Sequence, residues 1–100
     1  MNNKDLIECC EAVLDFLNEV NYVELATKQN IMNDVLIKNG WEFGDMVGFT
    51  KYLNEKFQLG YSIADEEGNF RPFFEKHSRH FYKSIIRDLT INKILEDEMG

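Results

Sequence analysis

From Pro72 to Leu95 apolar residues recur at the spacing of an α-helix while charges gather on the opposite side, and no other stretch restricts the fold so tightly. At about 100° per residue, Lys76, Arg79, His80, Lys83 and Arg87 fall within one arc of roughly 100°, and Phe74, Phe81, Tyr82, Ile85, Ile86 and Leu89 take the other side. Such a helix buries one side and shows water, or a partner, a basic stripe. Pro72 suits its first turn, where an amide proton would have no acceptor. Arg71 to Lys93 holds six of the eleven Lys and Arg against only Glu75 and Asp88, a local balance of +4 in a chain of net charge −7. The remainder is therefore strongly acidic.

One hundred residues suit a single helical domain spanning 1–100, with a modest reserve of stability. Apolar residues at 44% and charged ones at 29% are ordinary globular values and argue against wholesale disorder. One Pro and six Gly are too few for a β-sandwich with a turn every ten residues or so. No apolar run approaches a membrane span, and Met1-Asn2-Asn3-Lys4-Asp5 leads into an amphipathic pattern rather than a signal-peptide core, so a cytoplasmic protein is expected. Cys9 and Cys10 are adjacent on a predicted helix, where neighbouring side chains diverge by about 100°. They are poor disulfide partners for each other, which fits a reducing compartment. The acidic balance disfavours indiscriminate binding to nucleic acid or anionic lipid, and it suits solubility or a basic partner.

The periodicity predicts a first helix over 5–21, with Leu6, Cys10, Val13, Leu14, Leu17 and Val20 on one face and Phe16 at its margin. Glu8, Glu11, Asp15 and Glu19 line up opposite, an acidic stripe as orderly as the basic one. A second helix is predicted over 23–39, with Leu25, Ile31, Met32, Val35 and Leu36 inward and Gly40 at the left-handed stop. Trp41, Glu42, Phe43 and Gly44 form a short connector whose two aromatics read as a plug between helices, or Trp41 as an interface anchor. The third helix, over 45–57, has Asp45 at its N-cap and Met46, Phe49, Leu53 and Phe57 at helical spacing. Two readings fit residues 59–70: a short β-hairpin around Tyr61 and Ile63 with Gly68-Asn69 at the turn, or an irregular loop pinned by Tyr61 and Phe70. The Glu96-Asp97-Glu98 tail is expected to fray. The expected fold is a mostly all-α four-helix domain, its long C-terminal helix packed across the first three.

No stretch carries a catalytic signature. His77 and His80, three residues apart on a helix, have the spacing of two metal ligands, but two ligands do not make a site. Cys9, Glu75 or Asp88 would have to supply a third, and Lys76, Arg79 and Lys83 would repel a dication. Acid–base work by either His lacks a Ser, Cys or carboxylate at a spacing that would mark a partner. Gly40, Gly44 and Gly48 recur every four residues without the Lys or the strand-to-helix context of a phosphate loop. No enzyme activity, cofactor or metal is therefore expected.

Segregated charge speeds encounter and sets register between proteins, so the expected role is to bind and inhibit or regulate another protein. The candidate contact residues are Lys76, Arg79, His80, Lys83 and Arg87 on the basic stripe, Glu8, Glu11, Asp15 and Glu19 on the acidic stripe, and Trp41. In size, acidity and lack of a site the chain resembles small immunity, antitoxin and inhibitor proteins and small phage-encoded regulators of host enzymes; the resemblance is compositional and covers no motif. The alternative role is a helical nucleic-acid-binding regulator whose basic stripe tracks phosphates, with helices 23–39 and 45–57 read as a helix-turn-helix pair. Against it, 45–57 offers only Thr50, Lys51, Asn54 and Lys56 beside Glu55, with no Arg to fork onto guanine. A homodimer joining acidic to basic stripe is a further expectation, since within one chain the apolar faces win the interior.

Overall fold

Asn2 starts the first helix by accepting the Asp5 amide proton on its side-chain oxygen at 2.8 Å, the N-cap bond that a short amide side chain makes well. The computed structural model describes residues 2–42 and 45–99, with side-chain surroundings through residue 92. Within it α1 covers Asn3–Asn18, α2 Tyr22–Lys38, α3 Met46–Lys56, α4 Arg71–Lys76 and α5 Ser78–Met99. The fold is all-α, with no strand among the described residues. Phe43 and Gly44, part of the predicted connector, lie outside the described residues.

Helix α1 ends three residues earlier than its periodicity indicated, because two caps meet in the turn. The Asn21 side-chain oxygen accepts the amide protons of Val23 and Glu24 at 2.9 and 3.3 Å, and a Glu19 carboxylate oxygen accepts that of Asn21 at 2.9 Å. These three bonds hold Asn21 outside either helix, and Val20, expected on the inner face, is 93% exposed. Asn39 and Gly40, at φ +91°, close α2 as their residue types indicate. Asp45 caps α3 by accepting the Gly48 amide proton at 3.0 Å.

The hairpin reading of 59–70 is overturned in favour of a loop. Asn54 satisfies both backbone groups of Tyr61, donating to its carbonyl at 2.9 Å and accepting its amide proton at 3.1 Å. Asp65 likewise gathers the amide protons of Glu67 and Asn69 on one carboxylate oxygen, at 3.0 and 2.7 Å, around Gly68 at φ +85°. Side chains thus take the bonds that a strand ladder would have used. Asn54→Ala is expected to leave the Tyr61 groups without their partner and cost about 1–3 kcal/mol. Faster hydrogen exchange at the Tyr61 amide, with α1 unchanged, is the readout.

The single C-terminal helix is also corrected. His77, at φ −124°, interrupts it, and the buried Ser78 hydroxyl donates to the Phe74 carbonyl that an unbroken helix would have given to the Ser78 amide. Helix α5 then runs on through Glu96, Asp97 and Glu98, the tail expected to fray.

Helix α1 packs against both α2 and α5. It therefore buries a wider arc than one amphipathic face: Leu6, Cys9, Cys10, Ala12 and Val13 all lie inside. Helix α2 buries only Met32, Asn33 and Leu36, and Ile31, expected inward, is 48% exposed. The buried Asn33 side-chain oxygen has no hydrogen-bond partner among the described residues. Helix α3 joins α5 through one polar chain. The Thr50 hydroxyl donates to the Met46 carbonyl at 2.7 Å, which leaves the Tyr82 hydroxyl to donate to Thr50 at 2.6 Å. Around it the rings follow one another: Trp41 to Phe49 at 5.3 Å, Phe49 to Tyr82 at 6.3 Å, Tyr82 to Phe81 at 5.2 Å, and Phe81 to both Tyr61 and Phe73 at 5.5 Å.

Candidate partner-binding surfaces

The break at His77 divides the basic stripe between two helices, with Lys76 on α4 and Arg79, His80, Lys83 and Arg87 on α5, all exposed. Phe81, Tyr82, Ile85 and Leu89 hold the opposite side of α5 in the core, so the stripe is presented from a fixed backbone. Arg79 also has a task inside the fold: its Nε donates to the Leu17 carbonyl at 3.0 Å, at the end of α1 where carbonyls lack helical partners. A cation there opposes the negative pole of the helix. No signal near Arg79 in the sequence reveals this, because the two residues meet only through the packing of α5 on α1. Arg87 lies 3.7 Å from the Asp88 carboxylate, with both side chains largely in water, and such a pair is worth little. Lys76, His80 and Lys83 have no acidic partner among the described residues.

The acidic stripe is likewise only partly free. Glu8 meets Lys38 of α2 at 3.5 Å, and Glu19 is engaged in the α1–α2 turn. Glu11 and Asp15 are exposed and unpaired among the described residues. No ion pair joins the acidic stripe to the basic one among those residues.

Trp41 is half-buried, its ring against Phe49 at 5.3 Å and Tyr52 at 5.4 Å. With Asn39, Gly40 and Tyr52 it lines an open cleft of about 330 Å³ at the C-terminal end of α2. His77 lies exposed, its ring 5.9 Å from that of Tyr61 and 6.1 Å from that of Phe73. Burial pushes the Cys9 thiol up to about 11, with Glu8 and Asp5 adding to the effect, and pushes the Cys10 thiol higher still. A thiol held in that form is a weak nucleophile. No group of three His, Cys, Asp or Glu is placed to hold a metal among the described residues.

One surface escaped the helical periodicity altogether. Val20, Tyr22 and Val23 are 93%, 91% and 77% exposed at the α1–α2 turn, and Ile31 and Ile37 follow along α2 at 48% and 47%. These are five of the eight large apolar residues exposed among the described residues, and they fall within 18 consecutive positions.

No protein-family model, no curated protein and no solved structure matches the chain. The fold therefore defines the class, a small all-α protein. No described helix is long and apolar enough to cross a membrane.

Proposed function

We propose that this protein is a non-catalytic binder of another protein, which it inhibits or regulates, and that the exposed basic face of α5 is its contact surface. The observation that carries the reading is that His80 and Lys83 stand exposed, without an acidic partner among the described residues, on a helix whose opposite side is locked into the core. Pre-placed charge of this kind accelerates encounter and selects a partner of opposite sign. The partner's matching surface is acidic, and Arg87 and Lys76 extend the contact along α5 and onto α4.

Affinity capture with the tagged full chain identifies the partner. Lys83→Glu combined with Arg87→Glu is expected to weaken that complex on the order of tenfold or more. Both side chains are exposed, so the melting temperature stays near that of the parent. A complex indifferent to the double reversal removes the basic face from the interface. A DNA or RNA complex whose affinity falls steeply with salt would replace the protein partner with a nucleic acid.

A further inference from the structure

We infer that Asn39-Gly40 is a covalent modification site, at which the Gly40 backbone nitrogen closes on the Asn39 side-chain amide and the product unseats Trp41. Of the ten Asn in the chain, only Asn39 precedes Gly. A Gly has no Cβ to shield its amide nitrogen, and nothing lies within 4 Å of the place a Gly40 Cβ would take. Gly40 is exposed and Asn39 half-buried in the open cleft they share with Trp41 and Tyr52, so water and hydroxide reach both.

Hydroxide takes the Gly40 amide proton, the nitrogen bonds to the Asn39 side-chain carbonyl carbon, and the bond from that carbon to Nδ2 breaks. Nδ2 takes a proton from water and leaves as ammonia, and a five-membered imide remains. Water then opens the ring. Breaking the bond from the Gly40 nitrogen to the side-chain carbonyl leaves aspartate at position 39. Breaking its bond to the backbone carbonyl leaves isoaspartate, whose main chain runs through the side-chain carbonyl and is one carbon longer. In sum one water enters and one ammonia leaves.

The fold slows this reaction without blocking it. Ring closure eclipses the Gly40 nitrogen with the Asn39 Cβ, a conformation far from the ψ of 14° that Asn39 holds. Three bonds keep it there. Asn39 Nδ2 donates to the Val35 carbonyl at 2.8 Å, the Gly40 amide to the Ile37 carbonyl at 3.0 Å, and the Trp41 amide to the Leu36 carbonyl at 2.9 Å. All three close the last turn of α2, and helix ends open more readily than helix centres. Fraying of that turn therefore sets the rate. Once formed, the product keeps the turn open. A carboxylate has no proton to give the Val35 carbonyl, and its charge stands at the negative pole of α2. In isoaspartate the added main-chain carbon also moves the Trp41 amide out of register with Leu36. Trp41 then loses the tether that sets its ring 5.3 Å from Phe49 and 5.4 Å from Tyr52.

The inference is independent of the basic face of α5 and needs no partner. The full chain is aged in mildly alkaline buffer, folded and in urea, and its peptides are followed by mass spectrometry with fragmentation that separates aspartate from isoaspartate. The peptide holding Asn39-Gly40 is expected to change first in both, more slowly in the folded chain by on the order of tenfold or more. Asn39→Gln keeps an amide donor but must close a larger ring, and it is expected to leave that peptide unchanged. Trp41 is the chain's single Trp. The isoaspartate form, separated by ion exchange, is expected to show red-shifted Trp fluorescence that acrylamide quenches more strongly, with little loss of helical circular dichroism. Earlier change at another Asn overturns the site, and so does a folded chain that never reacts. Equal rates with and without urea overturn the control by α2, and an isoaspartate form with the parent's fluorescence overturns the link to Trp41.

Discussion

Phe81→Ala is expected to lower stability by about 3–5 kcal/mol, the range for removing a large buried aromatic ring. Its ring is 1% exposed and touches rings from three sources: Tyr61 of the loop at 5.5 Å, Phe73 of α4 at 5.5 Å and its neighbour Tyr82 on α5 at 5.2 Å. The cavity cannot collapse easily, because Tyr61 is held by Asn54 and the Tyr82 hydroxyl by Thr50. In a domain of this size total stability is about 5–15 kcal/mol, so the variant retains little margin. Urea unfolding measures the loss. Phe74→Ala is the control: its ring is only half-buried, and its aromatic neighbours are Phe70 and Phe73. If the two variants lose equal stability, the Phe81 cluster is not the centre that ties the loop and α4 to α5.

The second large effect is a loss of stability in alkali. Below pH 9 the thiols keep their protons whether the chain is folded or not, so they make stability neither rise nor fall. The unfolded thiol ionises near 9.0, whereas burial holds the Cys9 proton in the folded state up to about 11. Between these values the unfolded chain binds fewer protons than the folded one, and stability falls as pH rises. One pKa unit corresponds to about 1.4 kcal/mol, so Cys9 alone removes on the order of 2–3 kcal/mol by pH 11. Cys10 and Tyr82, both raised further by burial, steepen the decline. Thermal unfolding from pH 7 to 11 is expected to show a level region followed by a fall beginning near pH 9. Cys9→Ala with Cys10→Ala should make that slope shallower without abolishing it, because Tyr82 remains. An unchanged slope in the double variant would mean that the thiols do not carry the effect.

The helices were legible in the sequence because their causes are local. Asp45 caps through a side chain within three residues, Gly40 takes the left-handed stop, and Phe49, Leu53, Phe81, Ile85 and Leu89 recur at helical spacing. The basic residues of α5 fall opposite the apolar ones for the same reason, since both follow from residue type and a fixed angle per residue. Tertiary structure alone decided the rest. Periodicity shows that a helix has an apolar face but not how many neighbours will cover it. Cys9 and Ala12 are buried because α1 lies against two helices, and Ile31 is exposed because α2 has a narrower buried arc. The Arg79 bond to Leu17 depends on groups brought together by packing. Arg79 and Leu17 stand 62 positions apart. A sequence read along its length assigns Arg79 to a basic stripe; only the approach of α5 to α1 turns it into the residue that closes another helix.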